Sequence, residues 1–159
     1  MEGVNLRQSH IEDLRVPVRR ARVEVHTELE RRSAVIFLGP DTAPEDVFEG
    51  AAPFFPAEEG GTIRLYARAS VISVVVDDAD ACPIAAFASL TMLGVMNERR
   101  LVAVHLRNGR VITGAIMLPS PFMRTLDLVN ESSKSLAVHA QGRVHYVAKA
   151  YIERIEEMS

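Results

Sequence analysis

Short runs of alternating apolar and polar residues recur along this chain, the pattern of strands buried on one face. Arg22-Val23-Glu24-Val25-His26 is the first such run, and Ala34 to Leu38 is a denser second one closed by Gly39-Pro40. Asp41 to Ala52 holds a predicted helical turn at Pro44–Phe48. Phe54-Phe55 is interrupted by Pro56, which predicts an edge strand because proline cannot donate to a central ladder. Gly60-Gly61 reads as a turn, and Thr62 to Val76 as a long β-branched stretch with a bend near Ala69-Ser70.

Turns in the second half follow from parity. Val102, Val104 and Leu106 share one face of a strand, and Ile112, Gly114, Ile116 and Leu118 share one face of the next. A two-residue turn at Asn108-Gly109 would set Val104 against Thr113 and put the apolar faces on opposite sides. A three-residue loop Arg107-Asn108-Gly109, with Gly109 left-handed, instead pairs Val104 with Ile112 and Val102 with Gly114. The same argument selects Ala140-Gln141-Gly142 as the next turn, pairing Val138 with Val144 and Leu136 with Tyr146. His139 then falls opposite Arg143, and His145 opposite Ala137.

The two halves also match each other. Residues 22–76 and 101–155 superpose in sequence once small loop insertions are allowed: Val23 and Val25 on Val102 and Val104, His26 on His105, Ile36 and Leu38 on Ile116 and Leu118. Ala67-Arg68-Ala69, Val71 and Val74 match Ala148-Lys149-Ala150, Ile152 and Ile155. The chain therefore divides into an N-terminal helix and arm (1–20), a first β repeat (21–79), an apolar linking helix (80–99) and a second β repeat (100–159). Within the arm, Asn5 to Leu14 predicts a short helix stopped by Pro17. In the linker, Ile84, Phe87, Leu90 and Leu93 recur every third residue after Pro83. This segment is shorter than the roughly 20 residues a membrane-spanning helix needs, so it is read as a buried or interface helix and membrane binding is not expected.

The run Val102 to Ile116, followed by Met123 to Asn130 and by Tyr146 to Ile152, resembles the Sm-like family. That resemblance implies a mainly β protein of two tandem, strongly bent, five-stranded small barrels that assemble edge to edge. It also implies an RNA site in a loop after the second strand and a basic residue followed by glycine in the last hairpin. Here Phe122 and Met123 of Pro119-Ser120-Pro121-Phe122-Met123-Arg124 fit that loop, but the acidic position is absent and Arg124 stands where asparagine is usual. Lys149 fits the basic position and Ala150 replaces the glycine. The corresponding first-half loop, Leu38 to Ala43, has no aromatic residue.

Composition narrows the function. A net charge of −3 argues against strong, sequence-independent binding to phosphate backbones, although Arg15, Arg19, Arg20 and Arg22 form a dense basic cluster beside Glu12, Asp13 and Glu24. The single cysteine, Cys82, excludes an internal disulfide and reads as a small buried residue, consistent with a cytoplasmic setting. The five histidines read as outward and solvated, with no cysteine or carboxylate at ligand spacing. Asp77, Asp78 and Asp80 read as a solvated acidic turn. No nucleophile elbow, phosphate loop or dinucleotide fingerprint is present, so no catalytic residue, metal or other cofactor is assigned.

These observations favour a non-enzymatic module for self-association or for docking on a protein partner. Its candidate contact residues are Phe54, Phe55, Ile84, Phe87, Leu90, Leu93, Pro119, Phe122 and Met123. The alternative is binding of RNA or another single-stranded nucleic acid, with Phe122 stacking a base and Arg15, Arg19, Arg20, Arg124 and Lys149 holding phosphates.

Overall fold

The computed structural model describes residues 19–39, 42–77 and 98–158. The first half contributes β1 (Arg19–Thr27), β2 (Arg31–Leu38), β3 (Phe54–Glu59), β4 (Thr62–Ala67) and β5 (Val71–Asp77). The second contributes β6 (Glu98–Leu106), β7 (Val111–Leu118), β8 (Ser135–Ala140), β9 (Arg143–Ala148) and β10 (Ile152–Glu157). A short helix follows the second strand of each half, α1 (Asp46–Glu49) and α2 (Thr125–Val129). Single 3-10 turns at Arg68–Ser70 and Lys149–Tyr151 precede the fifth strands. The first of these is the bend expected near Ala69-Ser70. The predicted N-terminal helix and the linking-helix residues Ile84, Phe87, Leu90 and Leu93 lie outside the described residues, as do Arg15, Asp78, Asp80 and Cys82.

The fold is mainly β, but the strands are not divided between two separate barrels. All ten form one open antiparallel sheet in the order β10-β6-β7-β8-β9-β5-β1-β2-β3-β4. Each half orders its own five strands alike: fifth, first, second, third, fourth. A local irregularity also recurs. β5 skips Ile72 where it leaves β1, pairing Ser73 with His26 and Val71 with Thr27. β10 skips Glu153 in the same way, pairing Arg154 with His105 and Ile152 with Leu106. The halves are joined by β5 and β9, which pair from Ser73 with Val147 to Asp77 with Arg143.

This junction explains which turn parity read correctly. The β6–β7 hairpin has the expected register, Val104 with Ile112 and Val102 with Gly114, and Gly109 is left-handed at φ 85°. The β8–β9 hairpin does not. Its turn is the two residues Gln141 (φ 53°) and Gly142 (φ 72°), so Leu136 pairs with Val147, Val138 with His145 and His139 with Val144. Parity failed because it presumes a strand with one buried face, whereas β9 is buried on both. Val144, Tyr146 and Ala148 enter one core cluster, and Val147 enters the other. β3 is likewise not an edge, since β4 lies outside it. Pro56 is tolerated there because the ladder to β2 involves only Val35 with Glu58 and Ile36 with Ala57, so the proline lies beyond its end.

Two hydrophobic clusters hold the sheet, and they exchange residues. Val23, Val25, Ile36, Phe55, Val74 and Val76 of the first half pack with Val144 and Tyr146 of the second. Val102, Val104, Ile112, Ile116 and Val138 of the second pack with Ile72 of the first. Ile72, Val74, Val75 and Val76 are almost wholly buried. Each such side chain contributes about 1.5 to 3 kcal/mol relative to exposure. Burial on both faces is why β5 reads Val-Ile-Ser-Val-Val-Val and does not alternate.

Candidate interaction site

Among the described residues, β4 and β10 each have an unpaired edge, and such edges are templates for another chain. Along β4, Ile63 and Leu65 are 54% and 69% exposed and flank an arginine, Arg64. Beside β10 is a cleft of about 450 Å³ whose apolar lining comes from Leu126 and Val129 of α2 and Ile152 and Ile155 of β10.

The β5–β9 junction places an edge of the second kind against one of the first kind. There Val144 and Tyr146 of β9 enter the core that holds Val47 and Phe48 of α1. By strand order β9 corresponds to β4, β5 to β10, and α1 to α2. Carrying the β5–β9 register over to the free edges sets Ile155 opposite Leu65 and Glu156 opposite Arg64. It also directs Ile63 and Leu65 toward the cleft beside α2.

Charges at both edges are already organised. Glu59 accepts from Arg32 Nη1 at 3.2 Å, lies 2.7 Å from Arg64 Nε, and accepts from the Tyr66 hydroxyl. Burial, followed by Glu59, pushes the Tyr66 phenol up to about 12. Glu156 accepts from Arg154 Nε at 3.1 Å and lies 3.3 Å from His105 Nε2; Arg154 and His105 hold its carboxyl below the usual range.

A second cleft, of about 530 Å³, opens between the halves where the two 3-10 turns meet. Phe48, Pro53 and Tyr151 line it with three cations, Arg68, Lys134 and Lys149. Tyr151 Oη donates to Ala69 O at 3.3 Å across the join. Lys149 Nζ donates to Glu131 O at 3.0 Å and to Ser133 Oγ at 3.1 Å. Arg68 donates to the carbonyls of Val47 and Ala52 and lies 5.4 Å over the Phe55 ring.

No family model, curated protein or solved structure matches this chain. Among the described residues, no helix is long and apolar enough to cross a membrane.

Residues singled out from sequence are dispersed. Phe54 is exposed, but Phe55 is buried and stacks on Tyr66 at 5.7 Å, so it belongs to the core and not to a contact surface. Phe122 is 92% exposed, Pro119 is exposed, and Met123 packs partly on the second core. Arg124 is held in a two-pronged pair by Asp127, at 2.9 and 3.1 Å, and does not line the inter-half cleft. Arg19 donates to Thr42 O at 3.0 Å, while Arg20 pairs with Glu58 and lies over Phe37. Of the described residues assigned to an anionic ligand, Lys149 alone lines that cleft.

Sequence reasoning missed Ile63, Leu65 and Arg64 on β4. A signal was available, because two apolar residues flanking an arginine share one face of a strand. It also missed His26, which was expected to be solvated but is 2% exposed.

Proposed function

We propose that this chain is a non-enzymatic self-assembly module, a duplicated small β unit of Sm-like kind in which β4 of one copy pairs with β10 of the next. The observation that carries the reading is the β5–β9 junction, which joins corresponding edges within one chain. Apolar and charged residues of the free edges complement each other in its register, with Leu65 opposite Ile155 and Arg64 opposite Glu156. Because the two edges differ, the contact is head-to-tail, which gives a ring where its rotation closes and an open filament where it does not. Molar mass in solution tests it by charge exchange. The wild-type chain should be multimeric, Arg64→Glu should dissociate it, and adding Glu156→Arg to that variant should restore assembly. A wild-type chain that stays monomeric at high concentration, or a double variant no better than the single one, refutes it.

The second reading is binding of single-stranded nucleic acid, favoured by Arg68, Lys134 and Lys149 around the inter-half cleft. It requires a salt-dependent affinity for single-stranded RNA that Lys149→Glu weakens. Absence of binding at low salt removes it.

A further inference from the structure

His26 lies on β1 of the first half, with Arg31 of β2 and Ser73 of β5 as its cross-strand neighbours. Its Nδ1 is 2.9 Å from Nη1 of Arg110, a residue of the β6–β7 hairpin in the second half. Its Nε2 is 2.5 Å from Oε1 of Glu24. Guanidinium can only donate, so Nδ1 must offer a lone pair and the ring proton resides on Nε2, donated to Glu24. The contact exists only with a neutral ring.

We propose that His26 is a proton-sensitive clasp between the two halves: the neutral ring bridges Glu24 to Arg110, and a second ring proton expels Arg110 and frees the β6–β7 hairpin from β1. The step is one proton taken from solvent onto Nδ1, with no other bond made or broken. Once there, that proton would point at a donor bearing the same charge. Around the ring are Glu24 on β1, Arg31 on β2, Ser73 on β5, His145 on β9 and Arg110 on the hairpin, and Arg143 of β9 reaches Glu24. Glu24 is shared with Arg143 at 3.4 Å and Arg31 at 4.0 Å, so its charge is not reserved for His26. Ser73 supplies no charge. His105, the counterpart of His26, faces Glu156, so the clasp belongs to the internal junction.

Burial, helped by Arg110 and Arg31, holds the His26 ring below its ordinary value of 6.5 in spite of Glu24. His145 is displaced the same way, by burial and then by Arg143. With folded values below unfolded ones, the unfolded chain takes up these protons first as pH falls. The stability is therefore complete above about 6.5 and is lost on acidification through the lowered values.

Ring-proton NMR titration of the full chain tests the clasp, since His26 and His145 are followed separately. The wild-type His26 midpoint should lie below 6.5, and Arg110→Gln should move it upward while leaving the chain folded. Amide exchange of the hairpin, whose Leu106 N–H donates to Arg110 O at 2.9 Å, should accelerate severalfold as His26 protonates. His26→Gln, whose amide can serve both partners without titrating, should abolish that acceleration. An unchanged His26 midpoint in Arg110→Gln, or the same acid-driven exchange in His26→Gln, overturns the proposal.

Discussion

At the scale of single residues, the glycines separate two physical demands. Gly109 is left-handed at φ 85°, and a Cβ there would meet open space, so only its backbone conformation requires glycine. Gly114 is the opposite case. A Cβ at Gly114 would lie 2.4 Å from the carbonyl oxygen of His139 and 3.0 Å from Val138, which is far too close. That oxygen belongs to β8, the strand against which β7 packs, and cannot retreat without opening the sheet. Gly114→Ala should therefore destabilise the chain by about 1 to 3 kcal/mol, read from a urea titration. A change under about 0.5 kcal/mol would mean that β7 and β8 are not in this close approach. Parity set Gly114 opposite Val102, as the register has it, although the oxygen that Gly114 approaches could not be named from sequence.

At the scale of elements, what could be read depended on whether a strand has one buried face. β6 and β7 each carry their large buried side chains on one face, Val102, Val104 and Leu106 on β6 and Ile112, Ile116 and Leu118 on β7, and their alternation gave both the strands and the β6–β7 register. β5 and β9 do not, because they are the seam: β5 is a continuous apolar run, and Val144 and Tyr146 of β9 face the first core while Leu136 and Val138 of β8 face the second. The β8–β9 turn was misplaced for that reason alone. Its actual geometry leaves Gln141 at φ 53°, where a β-carbon is strained by about 1 to 2 kcal/mol, while the companion β3–β4 turn uses glycine at both positions. Asparagine followed by glycine suits such a turn best. Gln141→Asn should raise the thermal midpoint, with a gain of up to about 1 kcal/mol. No gain, with the hairpin register intact by NMR, would show that Gln141 is unstrained. The candidate site was less legible than the strands, because an edge is defined by strand order and order is a long-range property. Pro56 marked β3 as the edge on local grounds, yet β4 occupies that place.

At the scale of the molecule, the seam makes each half part of the other's interior. Ile72 follows the first-half 3-10 turn but packs with Val102, Val104 and Ile116 in the second core, and Tyr146 of the second half packs in the first core. Neither core is complete without a strand from the other side. Such reciprocal packing couples the halves, so the chain should unfold in one transition and not two. Ile72→Ala distinguishes these outcomes. Its residue is fully buried, and truncation should cost about 2 to 5 kcal/mol by loss of burial and creation of a cavity. Hydrogen exchange followed by mass spectrometry should then show protection falling in β7 as well as in β2, by the same factor, because both report the same global opening. If the second half instead lost protection while the first kept it, the cores would be separate folding units that share a sheet without sharing stability. The seam would then be a contact of the kind proposed between copies, formed after the two halves had already folded.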